Sequence, residues 1–369
     1  MKTSWKIGRI AGIELKIHPT FLLLLVWVGL STIISGGKAS EMILDILLVL
    51  TLFFVIILHE LGHALTARAF GLQTRDITLL PIGGIARLEK MPEDPKEEFL
   101  VAAAGPAVNL VIGVGLLISL FISGFFNSPI DIYAMADNFW VQLMTLNMSL
   151  FFFNLIPAFP MDGGRVLRAL LGLKMDRVKA TRIAATIGRG FAILMGIAGF
   201  FLNPWLILTA VFVWWGAGAE AKSVEVQAGL KGLVVRDALI TQFYQVEANE
   251  TLANVFQLSI QTGQQNIPVL SNGRFLGIIQ REDLLKGMER LGQRAPAYAA
   301  IGMEPEGLDP EMALTEAIKK FTNSRVLPVM EDGILIGLIT PESIQQRMWL
   351  NQRRLTSDPQ KPGENTESV

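Results

Sequence analysis

Cysteine is absent from this chain of 369 residues, histidine occurs only three times, and charged residues make up just 18%. Without cysteine there is no disulfide, no thiolate ligand for a metal and no thiol nucleophile. The sparse charge almost cancels, leaving a formal net charge of −1, so no basic surface points to nucleic acid as a partner. What is abundant is apolar: 51% of residues are hydrophobic and the mean hydropathy is +0.44. That balance lies outside the soluble range and predicts a membrane protein. The first apolar run, Thr20 to Ile34, follows the basic residues Lys2, Lys6, Arg9 and Lys16 but lacks a small-residue cleavage site, so it is read as a retained span.

Apolar stretches long enough to cross about 30 Å of hydrocarbon lie near residues 18–35, 42–68, 99–126, 139–157, 183–202 and 204–222. They predict a polytopic α-helical domain of about six transmembrane helices, with Asn203-Pro204 as a tight turn between the last two. Lys and Arg concentrate in the N-terminus and in the segments Arg68 to Lys96 and Arg165 to Arg182, which therefore face the cytoplasm. Ser35 to Glu41, and Phe125 to Asn138 with Asp131 and Asp137, belong outside. The expectation is a multi-pass plasma-membrane protein with both termini in the cytoplasm.

Two of the three histidines stand in His59-Glu60-Leu61-Gly62-His63, toward the cytoplasmic end of the second stretch. Residues four apart share a helix face, so His59 and His63 can offer two imidazoles to one zinc ion, while Glu60 can take a proton from zinc-bound water. Two histidines and a glutamate at membrane depth are costly unless something binds them. A catalytic zinc needs a third protein ligand and an open position. Cysteine is missing, and His18, followed by Pro19, sits at the start of the first span, so a carboxylate is expected. The best candidate is Asp162, in Asn154-Leu155-Ile156-Pro157-Ala158-Phe159-Pro160-Met161-Asp162-Gly163-Gly164. Two prolines and two glycines there break the fourth span, which is tolerated at membrane depth only where the chain lines a cavity. A helix-capping role is the alternative for Asp162.

The HELGH string and the NLIPAFPMDGG string together resemble the paired motifs of the site-2 protease family of intramembrane zinc metalloproteases. The likeness covers roughly residues 8–222, including Gly105-Pro106-Ala107-Val108-Asn109 and the opening Gly8 to Leu24. It implies that His59, His63 and Asp162 hold one Zn2+ per chain and that Glu60 is the general base and acid. The implied reaction is hydrolysis of a peptide bond within or near a transmembrane segment of a membrane-bound regulatory protein. Leu79 to Leu88 alternates weakly about Pro81, Gly83 and Gly84, as a small membrane-associated β-hairpin would. Its edge can pair with an unwound substrate strand, a role the resemblance favours over a plain cytoplasmic loop. Asn109 and Asn154 are polar residues in apolar spans, open to contact with the substrate backbone or a developing oxyanion, or to helix-to-helix hydrogen bonding.

After Lys222 the pattern changes to soluble α/β. Ile267-Pro268-Val269-Leu270, Gly273 and Gly277-Ile278-Ile279 are answered by Leu327-Pro328-Val329-Met330, Gly333 and Gly337-Leu338-Ile339 at one constant offset. This internal repeat resembles a tandem pair of CBS domains. The domain expectation is 1–224 for the metalloprotease, 225–291 and 292–352 for the two CBS copies, and 353–369 for a polar disordered tail. CBS pairs commonly bind adenine nucleotides through a Ser or Thr and an Asp three positions later, and neither copy is intact. The first keeps Asp283 without the hydroxyl, and the second keeps Thr340 without the acid. The pair is read as a regulatory adenine-nucleotide site at Asp283 and Thr340, or as a homodimerisation or substrate-docking module without nucleotide. Two other classes compete: a CBS-regulated membrane transporter, which would spread polar residues along a translocation path, and an inactive membrane-protein-binding adaptor, which would have a damaged site.

Overall fold

The computed structural model describes residues 4–81, 83–88, 91–125, 138–302, 305–321 and 324–357. Contacts divide the chain into two units, Met1–Val224 and Glu225–Val369.

A helix forms at each of the six apolar stretches: α1 (Thr20–Ile34), α2 (Ala39–Ala69), α3 (Pro95–Ile122), α4 (Phe139–Leu155), α6 (Arg177–Phe201) and α7 (Trp205–Leu230), with the amphipathic α5 (Asp162–Gly172) between α4 and α6. Helix starts are marked by capping side chains. Asp94 accepts from the N–H groups of Lys96 and Glu97 at 2.7 and 3.2 Å, Asn138 from Trp140 at 3.0 Å, Asp176 from Lys179 at 2.9 Å and Asn203 from Trp205 at 3.0 Å. Among the described residues, only α2, α3 and α6 combine the length and hydropathy of a membrane span, with mean hydropathies of 2.7, 2.2 and 1.6. This is fewer than the six expected. The 15 residues of α1 and 17 of α4 reach about 22 and 25 Å, short of a full hydrocarbon core. The outer segment expected between Phe125 and Asn138 lies almost wholly outside the described residues.

A four-stranded sheet in the order β1-β2-β3-β4 accompanies the helices: β1 (Trp5–Ile10), β2 (Ile13–Ile17), β3 (Thr74–Leu80) and β4 (Gly83–Leu88). The hairpin expected around Pro81 is β3–β4, antiparallel, while β2 runs parallel to β3. Its partner hairpin β1–β2 is an addition to the sequence reading. Ala11 (φ 49°) and Gly12 (φ 85°) form its turn, and Ala-Gly gives little warning of a turn for which Asn-Gly is the usual signature. Holding alanine there costs about 1–2 kcal/mol. Arg68 donates to the Ala11 carbonyl at 2.9 Å and Arg9 to that of Gly12 at 2.9 Å, steadying the turn. One face of the sheet, Ile13, Leu15 and Ile77, packs on Leu61 and Ala64 of α2, and so fixes the sheet against the helix that carries HELGH.

A buried ion network ties α5 to its neighbours. Arg168, 1% exposed, donates from Nε to Glu98 Oε1 at 2.7 Å and from Nη1 to Glu220 Oε1 at 2.6 Å; Arg177 reaches Glu98 Oε2 at 3.5 Å. The Arg168 guanidinium also stands 5.2 Å from the Phe159 ring centroid. In the sequence, Arg168 and Arg177 stood only as part of the basic, cytoplasm-facing segment Arg165 to Arg182. Breaking one partner out of such a pair costs about 3–5 kcal/mol, so α5 is held rigidly to α3 and α7.

In the second unit the repeat appears as β6 (Asn266–Ser271) with β7 (Arg274–Gln280) and β8 (Leu327–Glu331) with β9 (Ile334–Ile339). A short β5 (Val246–Glu247) pairs in parallel with β6. The two hairpins turn through Asn272-Gly273 and Asp332-Gly333, all with positive φ, and each carries a bulge at the same place. Helix α8 (Leu252–Thr262) precedes the first hairpin and α9 (Arg281–Leu291) follows it; α10 (Leu314–Ala317) and α11 (Pro341–Ser357) do the same for the second.

The cores do not follow the linear boundary at 291/292. Leu230, Leu233, Val235 and Ala238 pack with Leu308, Leu327, Val329 and Ile339, whereas Ala297 and Ala300 pack with Leu252, Val255, Ile267 and Ile279. Each copy's opening segment completes the core of the other, and Ile278, Val326 and Leu338 join the two. Helix α11 also continues to Ser357, past the point where a disordered tail was expected. The remainder of that tail lies outside the described residues.

Candidate metal centre

His59 and His63 sit one turn apart in α2, 8% and 5% exposed, and Asp162 opens α5 at 8% exposed. Their Nε2 atoms are 3.1 Å apart, and each lies 3.2 Å from Asp162 Oδ2. A tetrahedral zinc site with bonds of about 2.0–2.1 Å places its ligand atoms about 3.3 Å apart, so this triangle has the size of one face of the tetrahedron.

The other ring nitrogens decide what the triangle holds. His59 Nδ1 is 2.6 Å from Asn109 Oδ1, and His63 Nδ1 is 2.7 Å from the Val101 carbonyl. Both partners are acceptors, so each Nδ1 carries the proton and each Nε2 presents a lone pair. Two lone pairs and a carboxylate oxygen then converge with no donor between them. Such an arrangement repels itself unless a cation sits among the three, and the donor set of two imidazoles and one carboxylate suits zinc. A zinc held there would keep a fourth position for water or substrate.

Asn109 therefore stands elsewhere than a substrate contact would require. It is fully buried on α3, accepts from His59 and donates to Asn147 Oδ1 at 3.5 Å, while Asn147 donates to the Leu143 carbonyl at 2.8 Å. Asn147 belongs to this chain of bonds and was missed in the sequence; its one signal is that it shares a helix face with Asn154, seven residues on. Asn154 is half-buried at the last turn of α4.

Close backbone approach explains the glycines around the site. A Cβ at Gly105 would run into the His63 imidazole, so this position of α3 can approach His63 only as glycine. At Gly163 a Cβ would strike the Leu155 and Ile156 carbonyls, which is why Asp162 is followed by glycine where α5 presses on the end of α4. Gly83 opens β4 with φ 135°, and a Cβ at Gly84 would lie 3.1 Å from Glu60 Cγ and 3.6 Å from its Oε1. The β4 strand thus passes directly beside the half-buried Glu60, the neighbour of His59 on α2.

In the second unit, Asp283 lies in the first turn of α9 with its carboxylate against the Gly302 backbone, where a Cβ would collide with it. Thr340 is committed locally. Its hydroxyl accepts from the Ser343 N–H at 3.2 Å while Ser343 Oγ accepts from the Thr340 N–H at 3.2 Å, a reciprocal cap on α11.

Comparison with known proteins identifies the family of each part of the chain. Residues 47–197 match the model of peptidase family M50, and residues 235–290 and 303–349 match that of the CBS domain. The zinc metalloprotease MJ0392 of Methanocaldococcus jannaschii is 33% identical over 349 residues, 94% of this chain and 97% of the relative. Stage IV sporulation protein FB of Bacillus subtilis is 28% identical over 193 residues, covering 52% of this chain and 59% of that protein. Among solved structures, the site-2 protease from Methanocaldococcus jannaschii matches at 39% identity over 59% of this chain and 95% of that one, with a TM-score of 0.43. With a third of its residues shared over nearly the whole of both chains, this protein belongs to peptidase family M50, the site-2 proteases, as a membrane zinc metalloprotease with a tandem pair of CBS domains.

Proposed function

We propose that this chain is an intramembrane endopeptidase that cuts a peptide bond within or near a transmembrane segment of a membrane-bound regulatory protein, with His59, His63 and Asp162 as the zinc ligands and Glu60 as general base and acid. The observation that carries the reading is the convergence of three buried acceptor atoms at 3.1–3.2 Å with no proton to share. Bound there, one zinc per chain supplies Lewis acidity toward the peptide carbonyl and lowers the pKa of water. The chain does the rest. Asn109 and the Val101 carbonyl hold the two imidazoles in the tautomer and orientation that point Nε2 at the site. Glu60 takes the proton of the attacking water and delivers it to the leaving amine.

A helical substrate hides its carbonyls in i→i−4 bonds and must unwind before attack. The unpaired edge of β4 supports strand addition of the unwound segment, since Gly84 would then lay it alongside Glu60. Asn154, half-buried on the last turn of α4, is the side chain proposed for the substrate backbone or oxyanion. In this reading all six apolar helices cross the plasma membrane, the short α1 and α4 by local thinning, and both termini are cytoplasmic. Metal analysis of the purified protein tests the site. One zinc per chain is expected, and protein that cleaves without stoichiometric zinc would sink the reading.

For the CBS pair, adenine-nucleotide regulation rests on Asp283, because the Thr340 hydroxyl is taken up in capping α11. Calorimetric titration of the whole chain with ATP, ADP and AMP is expected to give heat with at least one of them, reduced in Asp283→Ala. Silence with all three removes the sensor role and leaves homodimerisation or substrate docking.

A further inference from the structure

Arg189 stands halfway along the 25 residues of α6, about 18 Å from either end, inside one of the helices with the length and hydropathy of a span. Between Arg182 and the end of that helix at Phe201 the sequence holds no other charge. The Arg189 side chain is exposed, and so are Ile193 and Phe200, which follow it along the same stripe of the helix. A cation set among exposed apolar side chains at membrane depth is costly unless an anion or a route to water meets it.

Among the described residues Arg189 has no ion pair and no hydrogen bond. Its guanidinium carbon lies 5.4 Å from the centroid of the Trp214 ring on α7, and a Cβ at Gly218, one turn on, would stand 3.1 Å from its Nη2. The ring attracts the cation but leaves its net charge in place and its N–H donors unmatched. Glu220, the nearest acid along α7 in sequence, is taken by Arg168 at 2.6 Å.

The depth of this cation follows from α7. Gly218 precedes Glu220 by about 3 Å of helix and Lys222 by about 6 Å, so the guanidinium comes up just beneath the level where charge begins. A long side chain on a helix leans toward the helix N-terminus, which for α6 is the end that carries Arg177, Lys179 and Arg182. A phosphate drawn slightly inward from the headgroup layer meets an arginine at that depth, and the planar guanidinium fork matches phosphate oxygens two at a time.

We propose that Arg189, with Trp214 and Gly218 as the wall, binds the phosphate of an anionic phospholipid at the lipid-facing groove between α6 and α7. The inference rests on the proposed placement of these two helices in the bilayer. Its consequence reaches the metal centre, because the inner faces of the same helices seat the chain just before Asp162. Ala184, Ala185 and Ala217 pack on Phe159, while Ala192 and Val213 pack on Ala158 and Met161. Gly188, next to Arg189, brings α6 so close that a Cβ there would lie 3.0 Å from Ala158 Cα. A lipid held at Arg189 and Trp214 braces this pair of helices from outside.

The absence of cysteine gives a clean test, because one introduced cysteine takes one label. Whole protein carrying Ile193→Cys, one turn from Arg189, or Val111→Cys, on the exposed face of α3, is labelled with nitrobenzoxadiazole and placed in phosphatidylcholine bilayers. Quenching is then titrated with nitroxide-bearing phosphatidylglycerol or nitroxide-bearing phosphatidylcholine. At position 193 the anionic lipid is expected to quench at about five-fold lower mole fraction than the zwitterionic one, the preference that one basic residue gives. Position 111 should show no preference. Adding Arg189→Gln should abolish the preference at 193, and Arg189→Lys, which keeps the charge, should retain most of it. Equal quenching by both lipids at 193, or a preference that survives Arg189→Gln, overturns the site. The same preference at 111 assigns the effect to overall surface charge and also overturns it. Quenching at 111 but not at 193, with energy transfer between labels on separate molecules, gives the groove to a second copy instead. No quenching at either position by either lipid overturns the membrane placement beneath the proposal.

Discussion

Replacing Glu60 with Gln is expected to cut turnover by about 10²–10⁴-fold, the range for removal of a general base, while the bound zinc stays in place. Gln keeps the shape of Glu and a hydrogen-bonding oxygen but cannot carry a proton from water to the leaving amine. Glu60 stands outside the triangle of donor atoms, which consists of His59 Nε2, His63 Nε2 and Asp162 Oδ2, so metal content should be unchanged. The measurement is paired: zinc per chain by metal analysis, and the set of membrane proteins that build up uncut in cells carrying the variant. Those proteins are the substrate candidates. Retained cleavage would remove Glu60 from the chemistry, and zinc lost together with activity would make it a ligand or a fold element instead.

The parts of this centre that share one helix were legible in the sequence. His59, Glu60 and His63 follow from the helical period alone, and histidine is so scarce here that the spacing carries weight. Asp162 was reached by elimination, helped by a Pro- and Gly-broken span that only a cavity-lining segment tolerates. What the sequence hid is what depends on contacts between distant elements. Asn109 is 50 residues from His59, and only the packing of α3 on α2 turns it from a possible substrate contact into the group that orients an imidazole. Arg168 stands in the sequence as one more charge of a cytoplasmic segment until α3, α5 and α7 close around it. The β1–β2 hairpin escaped because its turn is Ala11-Gly12, and the exchange between the CBS copies escaped because each copy's first residues pack into the other's core.

Removing the carboxylate of Asp162 should be more damaging to the metal than any change behind the histidines, and the contrast between the two tests the assignment of ligands. In Asp162→Ala the triangle loses its only negative donor, leaving two neutral imidazoles, which form no complete catalytic zinc site. Stoichiometric zinc and cleavage should both disappear. Global unfolding is not the expected cause, because the ion network of Arg168 with Glu98 and Glu220 still fastens α5. A thermal melt beside the metal analysis separates the two. In Asn109→Ala all three donors remain, but His59 Nδ1–H loses its acceptor and Asn147 its neighbour. Outer partners of this kind are worth about 10–100-fold in metal affinity, so competition with a chelator should show zinc weakened by that factor rather than lost. Cleavage in Asn109→Ala should then return when zinc is added in excess, whereas no zinc concentration restores Asp162→Ala. If the order were reversed, with Asp162→Ala keeping its zinc and Asn109→Ala losing it beyond rescue, the third ligand would have to be Asn109 rather than the carboxylate.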